Sequence, residues 1–324
     1  MPQPPRFPFG AKRPAFMGLL MLLCVFPATA SIAQDAALEA RCRAGDGDAC
    51  VEAGSQVLGE GEWSETTYRQ AIELYELGCD QGAAVGCALA GSFLESGLGV
   101  GADLERAVAL YRKGCDDGSL FACTLLGALY QTGRGVEVDI DRAAQLYQSA
   151  CDGGVPEGCT NLGLVSADGL LGEPDLERAA GLFSLGCEGG DPLGCNNLGT
   201  AYEFGNGVPV NYEHSLTLYQ TACDAGESLG CVNLGSLYEG GRGVEENASH
   251  AAELYTAACA AGEPLGCFDL GALHHQGLGV EYNLAAAAGL YQQACEAELQ
   301  DGCVNLALIL QQGAPAQSNY DRAI

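Results

Sequence analysis

Basic residues are scarce in this chain, and their scarcity excludes more than any motif does. Only 14 Lys and Arg stand against 42 Asp and Glu over 324 residues. Three of them, Arg6, Lys12 and Arg13, lie in an N-terminal segment that reads as removable, which leaves 11 against 42 and a formal charge of −31. Such a surface repels phosphate backbones and anionic lipid, so nucleic acid is not an expected partner. The acids are spread over the chain, which fits a solvated exterior; recognition of a cationic partner is the other reading. No run after the N-terminal segment approaches the about 20 apolar residues of a spanning helix, so stable membrane insertion is not expected. The histidines are only His214, His250, His274 and His275, without H-x-H or H-E-x-x-H, whereas a zinc enzyme needs several ligands converging on the metal. Lys113 is the sole lysine beyond residue 33, and Leu110 stands where an S-x-x-K nucleophile would be. G-x-S-x-G is missing, and no glycine-rich phosphate loop follows a strand. No catalytic residue, metal site or cofactor is therefore expected.

The first 33 residues read as an export signal. Arg6, Lys12 and Arg13 form a basic start, Ala15 to Phe26 an apolar run, and Ala28-Thr29-Ala30 or Ser31-Ile32-Ala33 a small-residue cleavage site. Cys24 follows Leu23, where a lipid-modification site wants a small residue, so a lipid anchor is not expected.

Cysteine is what the chain has in quantity. Beyond Cys24, sixteen cysteines form eight pairs whose members are eight residues apart: Cys42/Cys50, Cys79/Cys87, Cys115/Cys123, Cys151/Cys159, Cys187/Cys195, Cys223/Cys231, Cys259/Cys267 and Cys295/Cys303. The first pair starts 37 residues before the second, and every later step is 36. A fixed period of this length marks a repeat array. C-x-x-C is absent and no histidine adjoins a pair, so metal binding gives way to disulfides within each pair. An oxidising compartment follows, periplasm or extracellular space. Exchange chemistry at these cysteines is disfavoured, because regular structural bridges resist reduction.

Each period reads as a helical hairpin with no strand signal. Leu234, Leu237 and Tyr238 keep the three-to-four spacing of one helix face; Ala251, Leu254, Tyr255, Ala258 and Cys259 do so in a second segment. Gly241-Arg-Gly243 breaks the pattern between them and predicts a tight turn. Five residues before the first cysteine of each later pair stands a leucine, from Leu74 to Leu290, always followed by an aromatic residue: Tyr75, Tyr111, Tyr147, Phe183, Tyr219, Tyr255 and Tyr291. Four residues after the second cysteine stands glycine, at 54, 91, 127, 163, 199, 235 and 271, then Ala307. Glycine inside a helix costs about 1 kcal/mol against alanine, so its recurrence predicts a second helix packed closely there. These slots are read as core. The array is taken as one solenoid of eight repeats over 34–324. The first repeat is one residue longer and carries the single tryptophan, Trp63; the last stops at Ile324 and its end is expected to fray.

The string C-x-N-L-G-x-L-Y-x-x-G-x-G-V at Cys231 to Val244, nearly repeated at Cys195 to Val208, resembles the Sel1-like repeat. With the C-x7-C pairs it resembles the Helicobacter cysteine-rich proteins, a secreted group labelled as β-lactamases; a mitochondrial cytochrome oxidase assembly factor is similarly organised. The resemblance covers 35–324. It implies an all-α fold, a right-handed α/α superhelical solenoid akin to tetratricopeptide arrays, and a scaffold that binds other molecules. It also implies penicillin binding with slow hydrolysis as an alternative, for which the sequence shows no machinery.

In tetratricopeptide-like stacks the first helices line the concave groove. Two residues past the second cysteine stand Asn161, Asn197, Asn233, Asp269 and Asn305, one per repeat. Such a ladder could hydrogen-bond an extended peptide or glycan, or it could satisfy loop backbone of the adjacent repeat. Tyr130, Tyr202, Tyr238 and His274 share a slot further along the same helices, with His274 as an aromatic substitute. His214 and His250 lie near second-helix starts and are expected to be exposed. The candidate partner is a protein or peptide, a peptidoglycan fragment or a β-lactam.

Overall fold

Aspartate or asparagine opens nearly every second helix. The side chains of Asp103, Asp139, Asp175, Asn211, Asn247 and Asn283 each accept from the backbone N–H three residues on. These caps satisfy donors that a helix start otherwise leaves unpaired. First helices end differently: Gly97, Gly133, Gly205, Gly241 and Gly277 take left-handed geometry and return their N–H to the last turn.

The computed structural model describes residues 32–60 and 64–311. The candidate signal residues 1–31 with Cys24, Trp63, and the C-terminal residues 312–324 lie outside them. The described residues form helices joined by turns, with no strand. One compact unit ends at Gly153 and a second begins at Gly154. The first holds α1 (Ile32–Arg43), α2 (Gly47–Glu60), α3 (Glu65–Asp80), α4 (Ala84–Ser96), α5 (Leu104–Asp116), α6 (Leu120–Thr132) and α7 (Ile140–Asp152). The second holds α8 (Pro156–Ala167), α9 (Leu176–Glu188), α10 (Pro192–Phe204), α11 (Tyr212–Asp224), α12 (Ser228–Gly240), α13 (Ala248–Ala260), α14 (Pro264–Gln276), α15 (Leu284–Glu296) and α16 (Gln300–Gln311).

Within each unit, every helix packs on the next, and first helices also touch their counterparts in the following repeat: α2 on α4, α4 on α6, α8 on α10, α10 on α12, α12 on α14. First helices thus form the inner layer of each stack, an α/α solenoid arrangement. The slot aromatics fill it. Tyr75, Tyr111, Tyr147, Tyr219, Tyr255 and Tyr291 are all fully buried, and Phe183 is nearly so. Each ring lies against the glycine of its own repeat's first helix. Burying one such ring is worth roughly 1.5–3 kcal/mol, more than a typical neutral hydrogen bond.

The G-x-G turn serves the stacking as well. Gly243, at φ +72°, is pressed against the first turn of α11 in the preceding repeat, and a Cβ there would meet Tyr212 Cβ at 2.7 Å. The bridges tie the end of each second helix to the start of the next first helix. Cys79–Cys87, Cys115–Cys123, Cys187–Cys195 and Cys223–Cys231 hold Cα atoms 4.4 to 4.7 Å apart, and Cys42–Cys50, Cys259–Cys267 and Cys295–Cys303 close likewise. Cys151 and Cys159 are also disulfide-bonded. All sixteen cysteines beyond Cys24 are thus oxidised, as an oxidising compartment requires.

The spacing marks Cys123 as one end of a staple; the structure joins it to Cys115 and also buries it. Cys123 is 4% exposed and sits in the hydrophobic core with Tyr111, Leu126 and Leu129, while its partner Cys115 packs against that cluster partly buried. Its sulfur therefore fills core volume as an apolar group and presents nothing to a ligand. Helical spacing explains the placement: Cys123 precedes Leu126 by three residues and Gly127 by four, so all three share the face of α6 that packs on its neighbours.

Candidate binding surface

The half-exposed positions of the inner helices form the surface with most to offer a ligand. In the second unit, Leu193, Leu229 and Leu265 stand near the helix starts, followed by the asparagine slot and then by Thr200, Ser236 and Ala272, all of these three half-buried. Spacing of three to four residues keeps them on one side of each helix.

Asn161, Asn233, Asp269 and Asn305 are half-buried, while Asn197 is buried. Asn233 Nδ2 donates to Asn196 Oδ1 of the preceding repeat at 2.8 Å. Asn305 hydrogen-bonds the hydroxyl of Tyr291, again in the preceding repeat. These ladder bonds run to side chains of the adjacent repeat, not to its loop backbone. The buried Asn197 Nδ2 has no partner. Asp269 lies in the field of Glu239, and burial together with that charge pushes its carboxyl up to about 7.

The second set sits elsewhere. Five residues at about 100° per residue carry Tyr202 some 140° around the helix from Asn197. Its ring meets His214 edge-on at 4.4 Å, and Tyr238 meets His250 at 4.5 Å. Tyr130 accepts from Arg112 Nη2 at 3.0 Å, and His274 Nδ1 lies 3.1 Å from the Glu281 carbonyl. The backbone carbonyls of all four accept from the N-caps Asp139, Asn211, Asn247 and Asn283 at 2.8 to 2.9 Å. The rings of Tyr202, Tyr238 and His274 thus lie against the second helix or turn of their own repeat, whereas Tyr130 reaches back to α5 of the repeat before. His214 is exposed and His250 half-buried.

Sequence reasoning missed a polar relay behind the ladder. Tyr111 donates to Glu95 Oε2 at 2.8 Å, and Arg134 of the next repeat pairs with the same carboxylate at 2.6 Å. Tyr219 donates to the buried Glu203 at 2.7 Å, and Arg242 of the next repeat pairs with Glu203 and with Ser236. Tyr255 donates to Glu239 at 2.8 Å, and Tyr147 to Gln131 at 2.8 Å. Burial raises these hydroxyls above the ordinary tyrosine range, with the neighbouring carboxylates adding to the shift for Tyr111, Tyr219 and Tyr255. The signal available in sequence was the acid four residues beyond the helix glycine and the arginine inside two of the G-x-G turns.

This arrangement supplies hydrogen-bond donors, acceptors and short apolar patches. Among the described residues, no group of three or more His, Cys, Asp or Glu is placed to hold a metal ion. Lys113 is paired with Asp80 at 2.8 Å. No helix of the described residues is long and apolar enough to cross a membrane.

The Sel1 repeat matches in eight consecutive segments, 47–82, 84–119, 120–155, 156–191, 192–227, 228–263, 264–299 and 300–324. The chain belongs to the Sel1 repeat family. No curated protein sequence matches it. Among solved structures it is similar to c5321, a protective antigen of uropathogenic Escherichia coli displaying an SLR fold, at 27% identity and a TM-score of 0.65 over 86% of this chain. The chain spans 60% of that protein's length. It is also similar to a Sel1 repeat protein from Oxalobacter formigenes, at 25% identity and a TM-score of 0.67, covering 76% of this chain and 99% of that one. Helicobacter pylori cysteine rich protein B is 30% identical over 40% of this chain and 93% of its own, with a TM-score of 0.33. The chain's helical hairpins are those of a Sel1 repeat scaffold.

Proposed function

We propose that the chain is an exported Sel1 repeat scaffold, its signal at 1–33 removed, whose array over 34–324 holds a protein or peptide segment, or a peptidoglycan fragment, against the inner helices. The observation that carries this reading is the division of labour within each repeat. The large aromatics are consumed in the core, while the inner helices keep leucines and small polar groups half-exposed at a constant interval. A surface repeated every 36 residues suits an extended ligand that repeats its own backbone groups. Asn161, Asn233, Asp269 and Asn305 are the candidate contacts, with Asn197 behind them. Nothing among the described residues favours hydrolysis of a β-lactam.

The test is site-directed photocrosslinking in the organism's own envelope, with the probe at Ser236 on the inner layer or at the exposed Leu185 on the outer one. Crosslinking from position 236, abolished by Asn233→Ala with helicity unchanged, supports the reading. Capture from position 185 alone, untouched by Asn233→Ala, would place the ligand on the other face and overturn it.

A further inference from the structure

The turn before α13 carries a pattern found nowhere else in the chain. Glu245-Glu246-Asn247-Ala248-Ser249 holds its one N-x-S/T sequence, which marks an asparagine as an acceptor for N-linked glycan in an exported protein. Three second helices are capped by asparagine. Asn211 and Asn283 are followed two residues on by Glu213 and Ala285, and only Asn247 by a hydroxyl. Glu245, two residues before it, is the acid that the longer, bacterial form of the pattern adds.

The carboxamide is placed for this chemistry. Asn247 is exposed, and its Oδ1 accepts from the His250 N–H at 3.0 Å, capping α13. Its Nδ2, the atom that would carry a sugar, makes no hydrogen bond among the described residues. A glycan on Nδ2 therefore leaves the cap in place. The backbone N–H of Asn247 donates to the Tyr238 carbonyl near the end of α12, more than a turn past Asn233. A sugar there stands at the hairpin edge and leaves the ladder open.

Ser249 is engaged in the folded array. Its Oγ donates to the Gly279 carbonyl at 2.9 Å, and Gly279 lies so close that a Cβ on it would collide with the backbone of Ala248 and Ser249. A transferase has to grip the hydroxyl two residues beyond the acceptor, so the turn of the next repeat must be open when the sugar is added.

We propose that Asn247 is an N-glycosylation site, filled during or just after export and before the turn holding Gly277 and Gly279 closes over Ala248 and Ser249. The site rests on the export proposed above. The donor is a sugar chain joined through pyrophosphate to a polyprenyl lipid. Asn247 Nδ2 attacks C1 of the first sugar and the N–C1 bond forms. The bond from C1 to the pyrophosphate oxygen breaks, polyprenyl pyrophosphate leaves, and one amide proton passes to a base of the transferase. The glycan then stands among exposed apolar side chains: Tyr212, which Gly243 of the same turn touches, and Leu278 and Tyr282 of the turn that covers Ser249.

The test uses the full chain expressed in its native organism, purified from envelope and medium and cleaved after glutamate, with the peptide ending at Glu253 read by mass spectrometry. Asn247 should carry a glycan mass that yields sugar fragment ions. That mass should vanish in Asn247→Asp and in Ser249→Ala and persist in Ser249→Thr. Asn247→Asp keeps a capping oxygen, as Asp175 has at the equivalent position, so its loss of glycan is not loss of fold. A mass that survives in Asn247→Asp belongs to another residue and overturns the proposal. A chain that has lost its N-terminal segment yet bears a bare Asn247 overturns the site and leaves export standing. Recovery of the uncleaved chain from the cytoplasm alone overturns both.

Discussion

The ring of Tyr255 fills the place that a side chain on Gly235 would need: a Cβ there would lie 2.6 Å from Cε1 of the ring. The same contact recurs between Gly199 and Tyr219 at 2.7 Å, and between Gly127 and Tyr147 at 2.7 Å. Gly235→Ala gains about 1 kcal/mol of helix propensity, but overpacking a filled core costs about 1–3 kcal/mol. A net loss of stability is expected. Gly181 and Gly289 provide the control, because a Cβ at either meets nothing within 4 Å. Alanine there should raise the urea midpoint of the oxidised protein while Gly235→Ala lowers it.

Glu203 is the charged centre of the relay. It is 6% exposed, accepts from Tyr219, and pairs with Arg242, which reaches it from the next repeat. Removing Glu203 leaves Arg242 with Ser236 alone and the Tyr219 hydroxyl with Thr200 alone. Because Arg242 is partly solvated, Glu203→Ala should cost about 2 kcal/mol, below the range for fully buried pairs. Glu203→Gln keeps an acceptor for the Tyr219 hydroxyl and should cost less. Thermal unfolding of both variants in the same buffer checks the order.

The hairpins, their turns and their bridges were legible from the residues because each slot recurs with the same chemistry. Leucine, aromatic, glycine and cysteine recur in repeat after repeat, and the structure places the aromatics in the core against the glycines, with several of the leucines and most first cysteines of the pairs half-buried beside them. Cysteine spacing told of the bridges but not of burial, so the packing of Cys123 beside Tyr111 and Leu126 emerged only with the neighbouring helices in place. The relay was not legible for the opposite reason. Its acid slot reads Glu95, Gln131, Ala167, Glu203, Glu239 and His275, which resembles ordinary surface variation until the second partner is seen 39 residues away, as in the pair Arg242 and Glu203. The ladder was found as a pattern, yet its neighbours depend on the offset between successive hairpins. Hence the bond from Asn233 to Asn196 needed coordinates, whereas the 140° turn that parts the asparagines from Tyr202 and Tyr238 follows from helical spacing alone.

The bridges should act one repeat at a time. Cys223–Cys231 closes a short loop between α11 and α12, with Cα atoms 4.6 Å apart. In the chain-entropy picture a closure of about nine residues contributes at most about 2.5 kcal/mol. Replacing both cysteines with serine should lower stability by about 2 kcal/mol and increase hydrogen exchange chiefly in α11 and α12, since contacts in a stack reach only to neighbouring repeats. Uniform loss of protection over all helices of the second unit would mean that the unit melts as one body.

Asn197 offers a way to strengthen the stack. Its amide nitrogen is buried without a partner, and the register with Asn305 and Tyr291 explains why. The aromatic slot of the preceding repeat holds Phe183, which has no hydroxyl, and the acid slot holds Ala167. Both groups that occupy this place elsewhere are therefore missing together. Phe183→Tyr would return a hydroxyl to the position that Tyr291 fills for Asn305, and Ala167 leaves room that Glu239 takes up beside Tyr255. Satisfying a buried donor is worth about 1 kcal/mol net, so Phe183→Tyr should raise the melting temperature of the oxidised protein. In the background of Asn197→Ala the same substitution has no amide to meet. The gain should then vanish, and a double-mutant cycle over the two positions measures the coupling directly.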